Sequence, residues 1–452
     1  MTGAWRLAFR NLRRHRRRNV VTGVAIALGY MGLVVLGGYA GWAERLIRTG
    51  SVYMQHRGHL AVYAKGGLKR AEAKPSAYAL PPETQEKIVA ALRADPRVEH
   101  VGRYLVGSGI VGNGCKSFAM RAVGAEADLE RRLASHPEMI AIWGRATGPV
   151  SGRAFFDAPG AEAPVVVAPR LARALEKARP SPGGVPATAD APLDCGAPDV
   201  RQRLAADPFV QLGARTADGS FGAAEAQVVG LYRPASTEED KTALVAPIEL
   251  LQRLYDTDRV TYVAAFLRDH RDRAAVERDL AVRLRDAGVD VSIHRFDDPV
   301  ANPFYAGTMA FLGALVLFVV LLVANVVAFS VLNAMTLAAI ERSREMGTLR
   351  SLGFTRTQVR GLFLRESALL TITSVLAGAA FAAAAALVVE AADVRFEPPG
   401  SGTPVHLQFM PAPEVFLGTG GLFLVLTLAA TFIAVRRKVR TPVAELLVEV
   451  AA

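Results

Sequence analysis

The sequence predicts an α-helical membrane protein of four spans, with a large α/β domain inserted between the first and the second. Three observations carry this. Four runs, Val20–Ala43, Ala306–Ile340, Ser367–Val389 and Val415–Val435, contain no Lys, Arg, Asp or Glu. Each exceeds the roughly 20 residues a helix needs to cross a hydrocarbon core. The basic residues cluster beside these runs, and the long segment 44–305 between the first two has ordinary charge content and alternating strand and helix patterns.

The charge distribution sets the orientation. Residues 1–19 hold seven Arg and no acid, 341–366 hold six Arg against three Glu, and 436–452 hold four basic residues against two Glu. These three stretches exceed the whole chain's net +11, so the remainder is close to neutral. Positive charge beside spans stays cytoplasmic. Both termini and the 341–366 segment are therefore expected inside, and 44–305 and the short loop 390–414 outside. The basic run Arg13-Arg14-His15-Arg16-Arg17-Arg18 abuts a span, which points to anionic headgroups rather than nucleic acid. The first apolar run is too long for a signal-peptide core of 7–15 residues, so a retained span is expected.

Within residues 1–19, Trp5, Ala8, Phe9 and Leu12 share one helical side while Arg6, Arg10 and Arg13 lie off it, the pattern of an amphipathic helix in the inner headgroup layer. The first span, 20–43, carries a Gly37–Gly41 small-xxx-small step that admits a close helix neighbour. In the domain that follows, His59–Tyr63 and Val98–Val106 read as strands around a helix, Glu83–Arg93, introduced by Pro81-Pro82. The order recurs at its end, with Val260–Leu267, a helix Ala274–Ala287 carrying Val276, Leu280 and Leu284 on one face, and Val289–Ile293. Two β-α-β units at the two ends predict a divided α/β core, 44–123 and 236–305, around an inserted subdomain, 124–235. That insertion holds a strand at Pro164–Pro169, a helix at Leu171–Ala178, a Pro/Gly-rich surface loop at Arg179–Pro198 and a strand at Ala226–Leu231.

The second span, 306–340, reaches roughly 52 Å as a helix against a hydrocarbon core of about 30 Å, so it must protrude. Asn325, Ser330 and Asn333 either break it or hydrogen-bond to neighbouring helices. The third span, 367–389, has Gly378 and an alanine-rich run that favour close packing. The fourth is 415–435, and the tail is 436–452.

Between the second and third spans the chain reads as a short charged helix, with Met346, Leu349 and Leu352 at three-residue steps. Gly353 stands where a left-handed helix stop belongs, and Thr355 where the next helix needs a cap. An ordinary positive-inside loop is the plainer alternative. The segment Glu341–Gly353, followed by Thr357-Gln358-Val359 and Glu366-Ser367-Ala368, resembles the signature of the FtsX-like permeases, four-span membrane subunits of one class of ABC transporter. The opening Leu7–Leu12 and the closing Thr441–Leu447 are similar to the same family, and Gly58–Tyr63 resembles its lipoprotein-releasing LolC/LolE branch. The resemblance implies a MacB-like (type VII ABC) permease architecture. It also implies that this helix couples to a separate, LolD-like ABC ATPase through Glu341, Arg342, Arg344, Glu345 and Arg350. Met346 and Leu349 would fill an apolar cleft, and Gly347, Leu352 and Gly353 complete the contact segment. A lipid-anchored substrate would enter between the first two spans, past Met31, Phe311 and Leu315.

The chain's own chemistry is sparse. No GxxxxGK[ST] phosphate cradle occurs, and the nearest approach, Gly109–Ser117, has Cys115 between Gly114 and Lys116. ATP and Mg are therefore expected on the partner, with no cofactor or metal and no catalytic residue here. No HExxH or CxxC occurs, and no charge interrupts a span, as ion-coupled carriers usually require. Cys115 and Cys195, the only cysteines, both fall outside. They either pair as a disulfide or remain two independent buried thiols.

The resemblance thus implies a non-catalytic permease subunit in the bacterial inner (cytoplasmic) membrane that releases lipoproteins, working as a homo- or heterodimer with two ATPases. The alternatives are a MacB-like exporter of peptides or drugs and an FtsX-like signalling subunit controlling a cell-wall hydrolase.

Overall fold

A ten-stranded sheet organises the larger of two units, Arg45–Thr308 with Arg395–His406. In this computed structural model the described residues are 10–11, 16–144, 149–180, 193–234, 237–397, 404–409 and 412–448. The N-terminal amphipathic positions Trp5, Ala8, Phe9 and Leu12, and most of the Arg179–Pro198 loop, lie outside them.

The strands are β1 (Leu60–Ala64), β2 (Val98–Gly112), β3 (Ser117–Ala125), β4 (Ser151–Gly152), β5 (Pro164–Val167), β6 (Phe209–Arg215), β7 (Phe221–Leu231), β8 (Ala243–Pro247), β9 (Tyr262–Leu267) and β10 (Val291–Arg295). Their order is β10-β1-β9-β2-β3-β8-β5-β7-β4, with β6 bridging β2 and β7. The two expected β-α-β units are present and interleaved. β9 lies between β1 and β2, and β1 lies between β9 and β10, so each unit is split by a strand of the other. Their helices, Pro82–Arg93 and Arg273–Asp286, pack together and bury Ile88, Leu92, Val276, Leu280 and Leu284 in one core. Pro82 opens the first helix at a position with no hydrogen bond to lose. Gly288, at φ +70°, follows the end of the second.

The region 124–235 does not form a subdomain with its own sheet. β3 pairs in parallel with β8 from Arg121↔Ala243 to Ala125↔Pro247, and β5 pairs with β8 and β7, so the insertion continues the sheet of the flanking halves. The reason lies in β8, which follows the insertion in sequence yet enters the sheet between β3 and β5. Gly230 lets the β4 edge approach, since a Cβ there would run into the Arg153 carbonyl.

Gly109–Ser117 is the β2–β3 hairpin. Asn113 Oδ1 accepts from the Cys115 and Lys116 amides, and Gly114 takes φ +91°. Cys115 is disulfide-bonded to Cys195 with Cα atoms 5.6 Å apart, which settles the two readings of the cysteines in favour of the bridge.

The helix Arg16–Thr49 continues past the first apolar run, and its last turn belongs to the sheet unit. Arg48, 2 % exposed, pairs with Glu138 at 2.9 Å, and Trp143 Nε1 donates to Thr49 Oγ1 at 2.9 Å. A five-residue π-helix, Gly50–Met54, follows. Asn302, just before the next long helix, donates from Nδ2 to Ser51 Oγ at 3.1 Å.

The other unit comprises the described parts of Met1–Glu44, Met309–Val394 and Leu407–Ala452. Among the described residues four helices are long and apolar enough to cross a membrane: Asn19–Met54, Pro303–Glu341, Arg356–Ala391 and Pro413–Arg440. The second is an unbroken helix of 39 residues. Asn325 does not interrupt it; its amide donates to Leu321 O one turn back. Ile26, Tyr30, Val34, Val331, Leu370 and Phe423 form the interior of this unit, and Tyr30 OH donates to Phe416 O. Gly378 lets the third span approach the first, for a Cβ there would lie 2.6 Å from Ala27 O. Gly37 does the same for the fourth, facing Val415. Outward positions such as Val21, Phe318, Leu387 and Leu417 stay exposed, as a hydrocarbon environment requires.

The disulfide closes a loop between residues 80 apart in sequence. Replacing both cysteines by Ser should therefore lower the stability of the sheet unit by about 2–4 kcal/mol, read as a lower urea midpoint for that unit. An unchanged midpoint would mean that the bridge constrains nothing.

Candidate functional site: a clamped interhelical helix

The charged segment between the second and third spans folds as a nine-residue helix, Ser343–Ser351. Leu352 ends it, and Gly353 reverses the chain at φ +92°. Thr355 and Gln358 then form a reciprocal capping box that starts Arg356–Ala391. The stop and the restart are those the local sequence predicts.

Which side chains this helix offers to a partner differs from the expectation. Arg342 is 5 % exposed and turned inward. Its Nη1 donates to Glu366 Oε2 at 2.9 Å, its Nε to Glu345 Oε2 at 2.8 Å, and its guanidinium lies 4.8 Å above the Phe363 ring. Met346 is buried with Ala339, Val359, Phe363, Val435 and Val439, and so fills a cleft of its own chain rather than a partner's. Gly347 is buried as well, and Leu349 packs on the edge of this cluster. Arg350 Nη1 donates to the carbonyls of Val439 and Thr441, satisfying acceptors left open where Pro413–Arg440 ends. Arg342, Met346 and Arg350 thus each have partners within this chain.

The physical reason is periodicity. A three-residue step on a 3.6-residue helix drifts by about 60° each time, so Met346 faces inward, Leu349 the border and Leu352 outward. Leu352 is 73 % exposed. The outward ridge consists of Glu341, Arg344, Glu345, Thr348, Leu352 and Gly353, continued by Phe354. Arg344 is its exposed cation.

Glu366, part of the resemblance, carries no role at the site in the sequence reading, and its pairing with Arg342 is what sequence reasoning missed. It stands immediately before the apolar run of the third span, 4 % exposed, while Arg342 stands two residues after the run of the second. Opposite charges flanking two successive apolar runs were the available signal. On the tail, Val443–Val448 forms a short helix that packs against Ser343–Ser351, with Leu446 fully buried. Of the residues expected beside an entering lipid, Phe311 is 69 % exposed and Leu315 is also exposed, whereas Met31 is partly packed against the interior.

Comparison with known proteins places a family on this region. Residues 304–443 match the model of the FtsX-like permease C-terminal family. An ABC transporter permease of Methanocaldococcus jannaschii, itself uncharacterised, is 22 % identical over 169 residues, 36 % of this chain and 42 % of the relative. The chain thus spans less than half the length of that relative. Among solved structures, the extracellular domain of the noncanonic ABC-type transporter YknZ from Gram-positive bacteria is 12 % identical. It aligns with a TM-score of 0.31 over 48 % of this chain and 97 % of its own. The periplasmic region of MacB from Actinobacillus actinomycetemcomitans is 13 % identical, with the same TM-score over 53 % and 88 %.

Removing one member of the inward pair should leave a buried charge uncompensated. Arg342→Ala or Glu366→Ala is expected to destabilise the protein by about 3–5 kcal/mol, whereas Arg342→Met combined with Glu366→Leu should fold near-normally. Thermal melts of the purified chain in nanodiscs distinguish these; equal losses in all three variants would contradict the pairing.

Proposed function

We propose that this chain is the permease subunit of an ABC transporter, in which a separate ATPase docks on the ridge of Ser343–Ser351 and drives movement of the sheet domain. The observation that carries the reading is the clamped helix. Its inward face is committed to Glu366, Phe363, Val435 and the Val439 and Thr441 carbonyls. Its outward face keeps charged groups and one bare leucine, a surface suited to a protein partner rather than to lipid. ATP and Mg belong to that partner, and this chain is non-catalytic. The orientation that fits the clustered basic residues puts the helix and both termini in the cytoplasm and the sheet domain outside, in a bacterial inner membrane.

Arg48–Glu138, Thr49–Trp143 and Ser51–Asn302 hold the end of the first long helix and the start of the second within the sheet domain. In this reading two permease subunits, alike or different, sit on two ATPases. The substrate we favour is a lipid-anchored protein entering beside the exposed Phe311 and Leu315. Export of peptides or drugs and signalling to a cell-wall hydrolase remain the competing readings.

Co-expression with a candidate soluble ATPase tests docking. Arg344→Glu and Leu352→Asp, both on exposed positions, should abolish co-purification or lower ATPase stimulation about ten-fold without changing the melt. Unchanged assembly and activity would refute the docking face. A photocrosslinker at Phe311 should trap acylated proteins; recovery of hydrolases alone would favour signalling.

A further inference from the structure

The sheet unit contains a cavity of about 320 Å³ that neither the permease match nor the docking ridge involves. Its volume falls at the lower end of the ~300–1,000 Å³ typical of small-molecule sites. The walls are aromatic, formed by Tyr53, Trp143, Phe155, Phe156 and Tyr232. These rings also pack on one another and on neighbours: Tyr53 stacks on His136 and Phe266, and Phe155 meets Phe156 edge-on.

One carboxylate lines the cavity, Glu130, 9 % exposed. Tyr104 OH donates to its Oε1 at 3.0 Å, and His56 Nε2 lies 3.3 Å from its Oε2. A carboxylate offers about four acceptor positions, so each oxygen keeps one to spare. His56 is itself held in place: it adopts φ +58°, a left-handed conformation uncommon outside glycine, and its carbonyl accepts from Tyr262 OH at 3.1 Å. Among the described lining residues Arg233 is the one Lys or Arg, and it is exposed.

We propose that this cavity binds a small lipophilic cation, a quaternary or protonated amine bearing an alkyl or aryl group. Aromatic faces attract a cation through their quadrupole, most strongly where water is excluded. A buried carboxylate with vacant acceptor positions offsets the cost of desolvating the guest's charge. An anion meets the opposite of both terms. A neutral guest gains contact area alone. The inference stands on the sheet unit and is independent of the proposed ATPase docking.

The site also predicts a pH signature. Burial pulls the His56 titration down, but the charge and hydrogen bond of Glu130 outweigh it, and His56 titrates above its ordinary 6.5. Glu239 acts in the same direction and Arg121 against it, while the Tyr104 ring packs beside the imidazole. Imidazolium and guest cation compete for one carboxylate. Affinity for a cation should therefore rise as pH is raised through the His56 titration, and affinity for a neutral guest should not.

Isothermal titration of the full chain in nanodiscs, against empty nanodiscs, tests this with benzyltrimethylammonium and its neutral carbon isostere neopentylbenzene. Saturable binding of the cation is expected, about ten-fold or more tighter than the isostere, and progressively tighter as the pH is raised through the His56 titration, above 6.5. Glu130→Gln, which keeps the shape and removes the charge, should weaken the cation about ten-fold and leave the isostere unchanged. Tyr232→Leu should weaken it about three-fold or more. Equal affinity for the two guests, no saturable binding of the cation, or cation binding unaltered in a folded Glu130→Gln chain would overturn the proposal. If Glu130→Gln does not fold, the cation–isostere difference and the pH dependence in the unaltered chain decide it.

Discussion

A single buried ion pair, Arg342 with Glu366, governs the candidate site. It joins the residue after the second long helix to the helix that becomes the third span, across 24 positions of sequence. Two charges at this depth are costly unless each is well hydrogen-bonded. Here Arg342 has two carboxylate partners and an aromatic face, so the cost is met and the geometry is specific. With the pair made, Met346 can seat against Phe363 and Val435, and Arg350 can cap the fourth long helix. Everything exposed on Ser343–Ser351 is exposed because these three side chains are not.

The sheet unit follows a different constraint. Strands from the 124–235 region pair with those on either side of it, so the described strands belong to one hydrogen-bonded sheet. The hairpin at Asn113–Lys116 is tied by the disulfide to the chain around Cys195, and Asn113 Nδ2 donates to Leu175 O.

What was legible in the sequence divides by range of interaction. The four spans were legible because hydrocarbon demands long charge-free runs, a purely local signature. The helices Pro82–Arg93 and Arg273–Asp286 were legible from a proline at the first turn and from Val276, Leu280 and Leu284 at helical spacing. Gly353 and Thr355 announced a stop and a cap because those geometries depend on the residue itself. The sheet order was not legible: β8 joins β3 in parallel across more than a hundred residues, and no local pattern encodes such a pairing. The inward role of Arg342 was harder to see, since its partner Glu366 lies 24 residues on and only the flanking of two apolar runs by opposite charges hinted at the pair. Leu352 misled because an evenly spaced apolar triad looks like a stripe yet drifts around the helix.

The claim that most depends on measurement is that the interhelical helix is already formed and clamped in the permease chain by itself. Amide hydrogen exchange of the full chain in nanodiscs, without any ATPase, addresses this directly. The account predicts that the amides from Met346 to Leu352 exchange far more slowly than an unstructured peptide, because the helix is held by the Arg342–Glu366 pair and the Met346 cluster. Exchange at the unstructured rate until an ATPase is added would contradict it.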